Sequence, residues 1–228
     1  MNNCCETENL VSNCCNEVCE QCCCINCNCK AMIGEMAPDF TFPAVLHDGT
    51  IVDNFNLKSF TKDKYVVLFF YPLDFTFVCP SEIIAFHNRI EEFKSRNVEV
   101  IGVSIDSHFT HSAWRNTPVE KGGIGAISFP LVADIKHSIC KSYGVQSKAG
   151  VAYRGSFLID KSGVVRHMVI NDLPLGRNVD EMLRMIDALQ FTEVNGEVCP
   201  AGWKKGKEGM VANSHGVAEY LLKNSSKL

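Results

Sequence analysis

No stretch of the 228-residue sequence approaches the roughly 20 consecutive apolar residues of a membrane-spanning helix, so no membrane association is expected. Basic residues form no run and the formal net charge is −4, so composition implies no nucleic-acid partner. The N-terminus lacks a basic segment followed by an apolar one, and no secretory signal is expected. Without export, thirteen cysteines point to a reducing compartment, and a cytoplasmic location is the expectation. The glycine cluster Lys121-Gly122-Gly123-Ile124-Gly125 matches neither GxxxxGK[ST] nor GxGxxG, which argues against a nucleotide cradle. What remains is a chain with 46% hydrophobic residues, enough for one substantial core rather than two.

The cysteines are unevenly spread. Ten of the thirteen lie in residues 1–30, among Asn and Glu with almost no large apolar side chains. Cys19-x-x-Cys22 and Cys24-x-x-Cys27 have zinc-knuckle spacing, and four thiolates close a tetrahedral site. No histidine assists there, and adjacent cysteine pairs blur any unique ligand set. Residues 1–30 are therefore expected to be a disordered low-complexity extension with no defined metal site. A metal-thiolate binding protein, with the rest of the chain as scaffold, is the alternative reading. The globular part is placed at residues 31–191 and a C-terminal tail at 192–228.

Residues 64–93, KYVVLFFYPLDFTFVCPSEIIAFHNRIEEF, organise the rest. Seven apolar or aromatic residues, 65–71, predict a buried strand. Ile83, Phe86, Ile90 and Phe93 at helical spacing predict a helix with its charges on the other face. Pro80 lacks an N–H and suits a first helical position, so the helix is expected to begin there. Cys79 would then sit at a helix mouth, facing unpaired N–H groups and the positive end of the dipole, where thiols ionise most readily. Thr76 stands three residues before it and Glu82 three after, so no CxxC partner exists locally. Cys79 is read as a lone nucleophile whose resolving thiol lies elsewhere.

The segment FYPLDFTFVCPSEI resembles the active-site segment of the typical two-cysteine peroxiredoxins, thiol peroxidases that reduce hydrogen peroxide and organic hydroperoxides. The family pattern of Pro, three residues, Thr or Ser, two residues, Cys falls on Pro72, Thr76 and Cys79. The likeness runs from about Ile33 to the C-terminus and includes GEVCPAGW around Cys199. It implies a thioredoxin-like α/β fold with a mixed central sheet flanked by helices. Strands alternating with helices, plus an antiparallel hairpin at 152–170, predict that class independently.

An ordinary cysteine, with pKa about 8.5, is about 3% thiolate at pH 7, so ionisation alone gains roughly thirtyfold at most. The larger contribution must come from donors that hold the peroxide and stabilise charge on the leaving oxygen. The resemblance assigns this work to Thr76, Arg154 and the backbone of the Cys79 turn, with Pro72 shielding the pocket from water. Spacing alone would send Arg154, in a predicted strand, to solvent. Glu82 is expected to orient an arginine, with Arg177 a candidate partner. Cys199 resembles the resolving cysteine, which in this family comes from the partner subunit. A thioredoxin-like reductant would then restore both thiols, with no cofactor. A homodimer, and a decamer of five dimers, is implied. His108-Phe109-Thr110-His111 carries no cysteine where some relatives join dimers by a disulfide, so the ring is expected to be non-covalent. Tyr220-Leu221 stands where relatives sensitive to over-oxidation have Tyr-Phe, which predicts looser packing of the tail. An oligomeric holdase chaperone is a second activity that the resemblance allows. Cys140 and Trp114 are read as packing residues.

Overall fold

The computed structural model describes residues 30–227. The reading of the Cys-rich extension therefore lies outside the described residues, apart from Lys30. Seven strands form one mixed sheet: β1 (Thr41–Val45), β2 (Ile51–Asn56), β3 (Tyr65–Phe70), β4 (Val98–Ser104), β5 (Leu131–Ala133), β6 (Arg154–Ile159) and β7 (Val165–Asn171). Their spatial order is β2-β1-β5-β4-β3-β6-β7. β3, β4 and β5 run parallel, and the remaining pairs are antiparallel, so the expected mixed sheet is present.

The helices are α1 (Leu57–Phe60), α2 (Cys79–Asn88), α3 (Ile90–Lys94), α4 (His108–Asn116), α5 (Ser138–Ser142), α6 (Val179–Asn195) and α7 (Ser214–Asn224). Among the described residues no helix is long and apolar enough to cross a membrane. β3 explains the layering. Every one of its side chains is buried, and alternation sends Tyr65, Val67 and Phe69 to one face and Val66, Leu68 and Phe70 to the other. The first face packs against α2, α3 and α6 through Ile83, Phe86, Phe93, Leu183 and Ile186, and the second against α5 through Ile139 and Cys140. Phe69 stacks on Phe86 with ring centroids 4.6 Å apart, which ties the strand to the helix that follows it.

Three boundaries differ from the sequence reading. α2 begins at Cys79 rather than Pro80, which places Pro80 inside the first turn. The helix expected to run through Phe93 is divided at Arg89, which leaves helical geometry at φ −105°, ψ 9°. α6 reaches Asn195, four residues past Phe191, because its stop is Gly196 in the left-handed region at φ +67°. Asn178 caps α6 as expected, accepting from Asp180 N at 2.9 Å. In the glycine cluster, a Cβ on Gly123 would lie 1.8 Å from the Thr117 carbonyl oxygen, so close backbone approach requires that glycine. Trp114 is fully buried and donates from its indole to the Gly122 carbonyl at 2.9 Å, the packing role expected of it. Cys140 is also fully buried, and burial pushes its thiol far above the ordinary value.

Candidate active site

Strand β3 delivers the chain to the top of the sheet, and a turn of eight residues returns it into α2 with Cys79 as the first helical residue. Cys79 has no exposed surface. Its Sγ is 3.0 Å from Thr76 Oγ1 and 3.4 Å from Arg154 Nη1. The Thr76 hydroxyl also lies 2.7 Å from the Leu73 carbonyl oxygen. It carries one hydrogen, so it donates either to that carbonyl or to sulfur. A thiolate claims the hydrogen, whereas a thiol can donate its own proton to Oγ1 and leave the carbonyl bond intact.

Arg154 reaches this point because β6 pairs antiparallel with β3 and begins beside the active turn. Its Nε donates to the Leu173 carbonyl at 2.7 Å, and its Nη1 donates to Glu82 Oε2 at 2.6 Å. Glu82 lies one turn into α2 and is 2% exposed by side chain. Arg177, arriving from the loop before α6, donates to the same carboxylate from its backbone N and Nε at 2.9 Å and from Nη2 at 3.0 Å. Its Nη1 donates to the Phe70 and Gly155 carbonyls at 2.6 and 2.9 Å, and the guanidinium lies 4.9 Å from the Phe69 ring centroid. Burial presses the Arg177 guanidinium below its ordinary value while Glu82 opposes the shift. A guanidinium nonetheless keeps its charge. Two buried cations thus share one buried anion, and a thiolate at Cys79 brings the formal charge of the cluster to zero.

Pro72, Thr76, Phe77, Val78, Arg154, Leu173 and Pro174 line a pocket open to solvent over this cluster. Its walls are apolar except where Thr76 and Arg154 offer donors, which suits a small ligand with a polar reacting end. Pro72, Thr76, Cys79 and Arg154 thus lie together in the structure, and Glu82 pairs with Arg177. Cys199 lies apart from the other four, against α6, with Sγ 3.6 Å from the Ala188 carbonyl oxygen.

Two features escaped the sequence reading. The first is the Leu173 carbonyl, which anchors Arg154; a main-chain acceptor leaves no signal in side-chain pattern. The second is a buried network beneath the turn. Asp74 accepts from Tyr71 Oη at 2.9 Å and faces His111 Nδ1 at 2.7 Å, while its backbone N–H donates to Asp106 at 2.9 Å. Burial raises the Asp74 carboxyl, against the opposing pull of His111. Tyr71 hid this network, since in the apolar run it reads as one more core residue.

This constellation of a buried cysteine, a hydroxyl and a guanidinium on a thioredoxin-like sheet defines a thiol peroxidase class of site. The chain belongs to the AhpC/TSA family, whose profile matches residues 33–168. A second profile, the C-terminal domain of 1-Cys peroxiredoxin, matches residues 188–223. The chain is 58% identical over 197 residues to alkyl hydroperoxide reductase C of Helicobacter pylori, covering 86% of this chain and all of that one. It is 54% identical to peroxiredoxin-1 of Gallus gallus over 195 residues, 85% of this chain and 97% of that one. The reduced 2-Cys peroxiredoxin of Plasmodium vivax superposes with a TM-score of 0.81 at 50% identity, covering 83% of this chain and 98% of that one. The chain is a peroxidase, an oxidoreductase of the peroxiredoxin type.

Proposed function

We propose that Cys79 is the peroxidatic thiolate and that it reduces hydrogen peroxide and organic hydroperoxides through a sulfenic acid. The supporting observation is the convergence of Thr76 and Arg154 on a sulfur with no surface of its own. Sγ attacks the terminal oxygen of the peroxide, the O–O bond breaks, and the distal oxygen leaves with a proton as water or alcohol. Arg154, held by the Leu173 and Glu82 contacts, and Thr76 donate to the peroxide oxygens as charge moves onto the leaving one. Pro72 and the apolar rim exclude water.

The resolving thiol in this reading is Cys199 of the partner subunit, and a thioredoxin-like reductant closes the cycle. The burial of Cys79 inside the first turn of α2 supports a step in which that turn unwinds before the disulfide forms. A homodimer fits the sheet, which ends at β7 with Val169 and Ile170 exposed at 37% and 40%. Further assembly toward a decamer is favoured by Phe75, Phe77 and Phe109, each more than half exposed around the active turn and α4. α7 buries none of its residues within the chain, which suits packing against a second copy. A reducing cytoplasm accords with the thirteen cysteines.

Rapid mixing of the reduced chain with hydrogen peroxide, beside its Cys79→Ser variant, tests this. Fast consumption by the parent and its loss in the variant is the expected result. Equal, slow consumption in both would overturn the assignment and return attention to the cysteines of residues 1–30.

A further inference from the structure

Arg184, on α6, belongs to none of the contacts around Cys79, yet it is the cation beside the second thiol. Its Nε and Nη2 each donate to the Glu181 carboxylate at 2.7 Å, a two-pronged contact that fixes the plane of the guanidinium. The remaining arm, Nη1, donates at 2.9 Å to the carbonyl of Trp203, at the end of the Cys-Pro-Ala-Gly-Trp turn that begins at Cys199. The turn is held to α6 at two further points. The buried Trp203 ring lies 4.8 Å from Phe191, and Cys199 Sγ lies against the Ala188 carbonyl. Val198 adds a reciprocal backbone pair with Met210, N to O at 2.9 Å in both directions.

We propose that Arg184 is a positioning residue for the resolving step: it holds the Cys199–Trp203 turn on α6 and lends its charge to the Cys199 thiolate. The inference rests on the reading of Cys199 as the resolving thiol. In that step the Cys199 thiolate attacks the sulfenic sulfur of Cys79 on the partner subunit. The S–S bond forms, the S–O bond breaks, and the oxygen leaves as hydroxide and is protonated to water. The oxidising equivalent is the one the peroxide already delivered, so no further co-reactant is needed.

The electrostatics run the same way. Burial pushes the Cys199 thiol up, and the positive charge of Arg184 draws it back toward its ordinary value. The other ionisable groups near this contact include Glu181 on α6, His167 on β7, Glu197 just before the turn, and Lys205 just after it, which pairs with Asp187 on α6 at 3.5 Å. Glu181 is committed to Arg184, which holds its carboxyl low. Burial lowers the His167 imidazole; Glu181 opposes that shift and Arg184 adds to it. The Glu197 carboxylate points toward Gly209. Arg184 is thus the cation by which a thiolate at Cys199 is favoured.

The test is stopped-flow tryptophan fluorescence of the full reduced chain mixed with hydrogen peroxide. Trp114, near the active turn, and Trp203, near Cys199, give the probe reach over both thiols. Oxidation of Cys79 gives a first phase and disulfide formation a second. Arg184→Gln is expected to leave the first phase unchanged and slow the second about tenfold at pH 7. The gap is expected to narrow steadily as pH rises, because more of Cys199 then ionises without help from Arg184. Arg184→Lys, which keeps the charge, restores most of the rate at pH 7. Slowing of the second phase by the same factor at every pH, in Lys and Gln variants alike, would reduce Arg184 to a fold contact and overturn the proposal. An unchanged second phase overturns it as well. The parent reading fails separately: a Cys199→Ser chain that still forms the disulfide removes Cys199 from the step altogether, and the role of Arg184 with it.

Discussion

Arg154 Nη1 stands 2.6 Å from the Glu82 carboxylate, and that same nitrogen is 3.4 Å from the sulfur of Cys79. The anion that fixes the arginine is therefore buried within the cation's reach of the nucleophile, and removing it affects stability and reactivity together. Glu82→Gln keeps the shape but leaves Arg154 and Arg177 as two cations without a buried counter-charge. A loss of about 3–5 kcal/mol is expected, with a fall in peroxide reactivity. Urea unfolding monitored by circular dichroism measures the first quantity. A variant as stable as the parent would mean that the carboxylate does not neutralise the pair.

The hydroxyl of Thr76 has a different task, since it reaches the Cys79 sulfur and the Leu73 carbonyl and takes no part in the ion-pair cluster. Thr76→Val keeps the volume and removes the hydrogen available to Sγ. The second-order rate constant for hydrogen peroxide is expected to fall about 10²- to 10³-fold, with unfolding free energy changed by no more than about 1 kcal/mol. Rapid-mixing kinetics and urea midpoints, measured on one preparation, separate the two effects. A fall in rate matched by equal loss of stability would point to a structural hydroxyl.

Asp160, at the β6–β7 turn, supplies the clearest pH dependence. Burial alone would raise its carboxyl, but donation from Val164 N at 3.0 Å, Arg166 Nε at 2.6 Å and Ser162 N at 2.8 Å leaves it below the ordinary 3.8. A depressed native value means that its stabilisation is fully present above about pH 5 and is lost as pH falls through 3.8 and below. Between pH 5 and pH 2.5 the parent's urea midpoint should therefore fall more steeply than that of Asp160→Asn. Parallel lines for the two proteins would refute the linkage.

Strand β7 offers a test of assembly. Ile170 is 40% exposed on the edge of the sheet, and a carboxylate there opposes pairing with a second β7. Ile170→Asp should shift sedimentation toward smaller species while leaving the circular dichroism spectrum of the chain intact. An unchanged sedimentation profile would place the interface elsewhere.

The sequence disclosed the fold wherever burial is continuous. Residues 65–71 announce β3 because both faces of that strand are covered, and the helical spacing from Ile83 to Phe93 announces the layer over one of them. Division of that helix at Arg89 left no trace, since Arg89 is an ordinary helix former and only its backbone angles mark the break. At the site, Cys79 was legible from its place between a strand and a proline. Arg154 was legible only through resemblance: a buried arginine depends on an anion brought to it from far along the chain, here Glu82, 72 residues away. The Asp74–His111 contact, spanning 37 residues, was invisible for the same reason.

The sulfur of Cys79 presents no area to solvent, although the pocket above it is open. Entry to that sulfur is a matter of calibre rather than of appetite. On the proposed reading of Cys79, a two-oxygen group would enter between Thr76 and Arg154, and a bulky disulfide or alkylating agent would meet the Pro72 and Leu173 walls first. On that reading, the folded first turn of α2 would then act as a sieve that favours small oxidants over bulkier electrophiles.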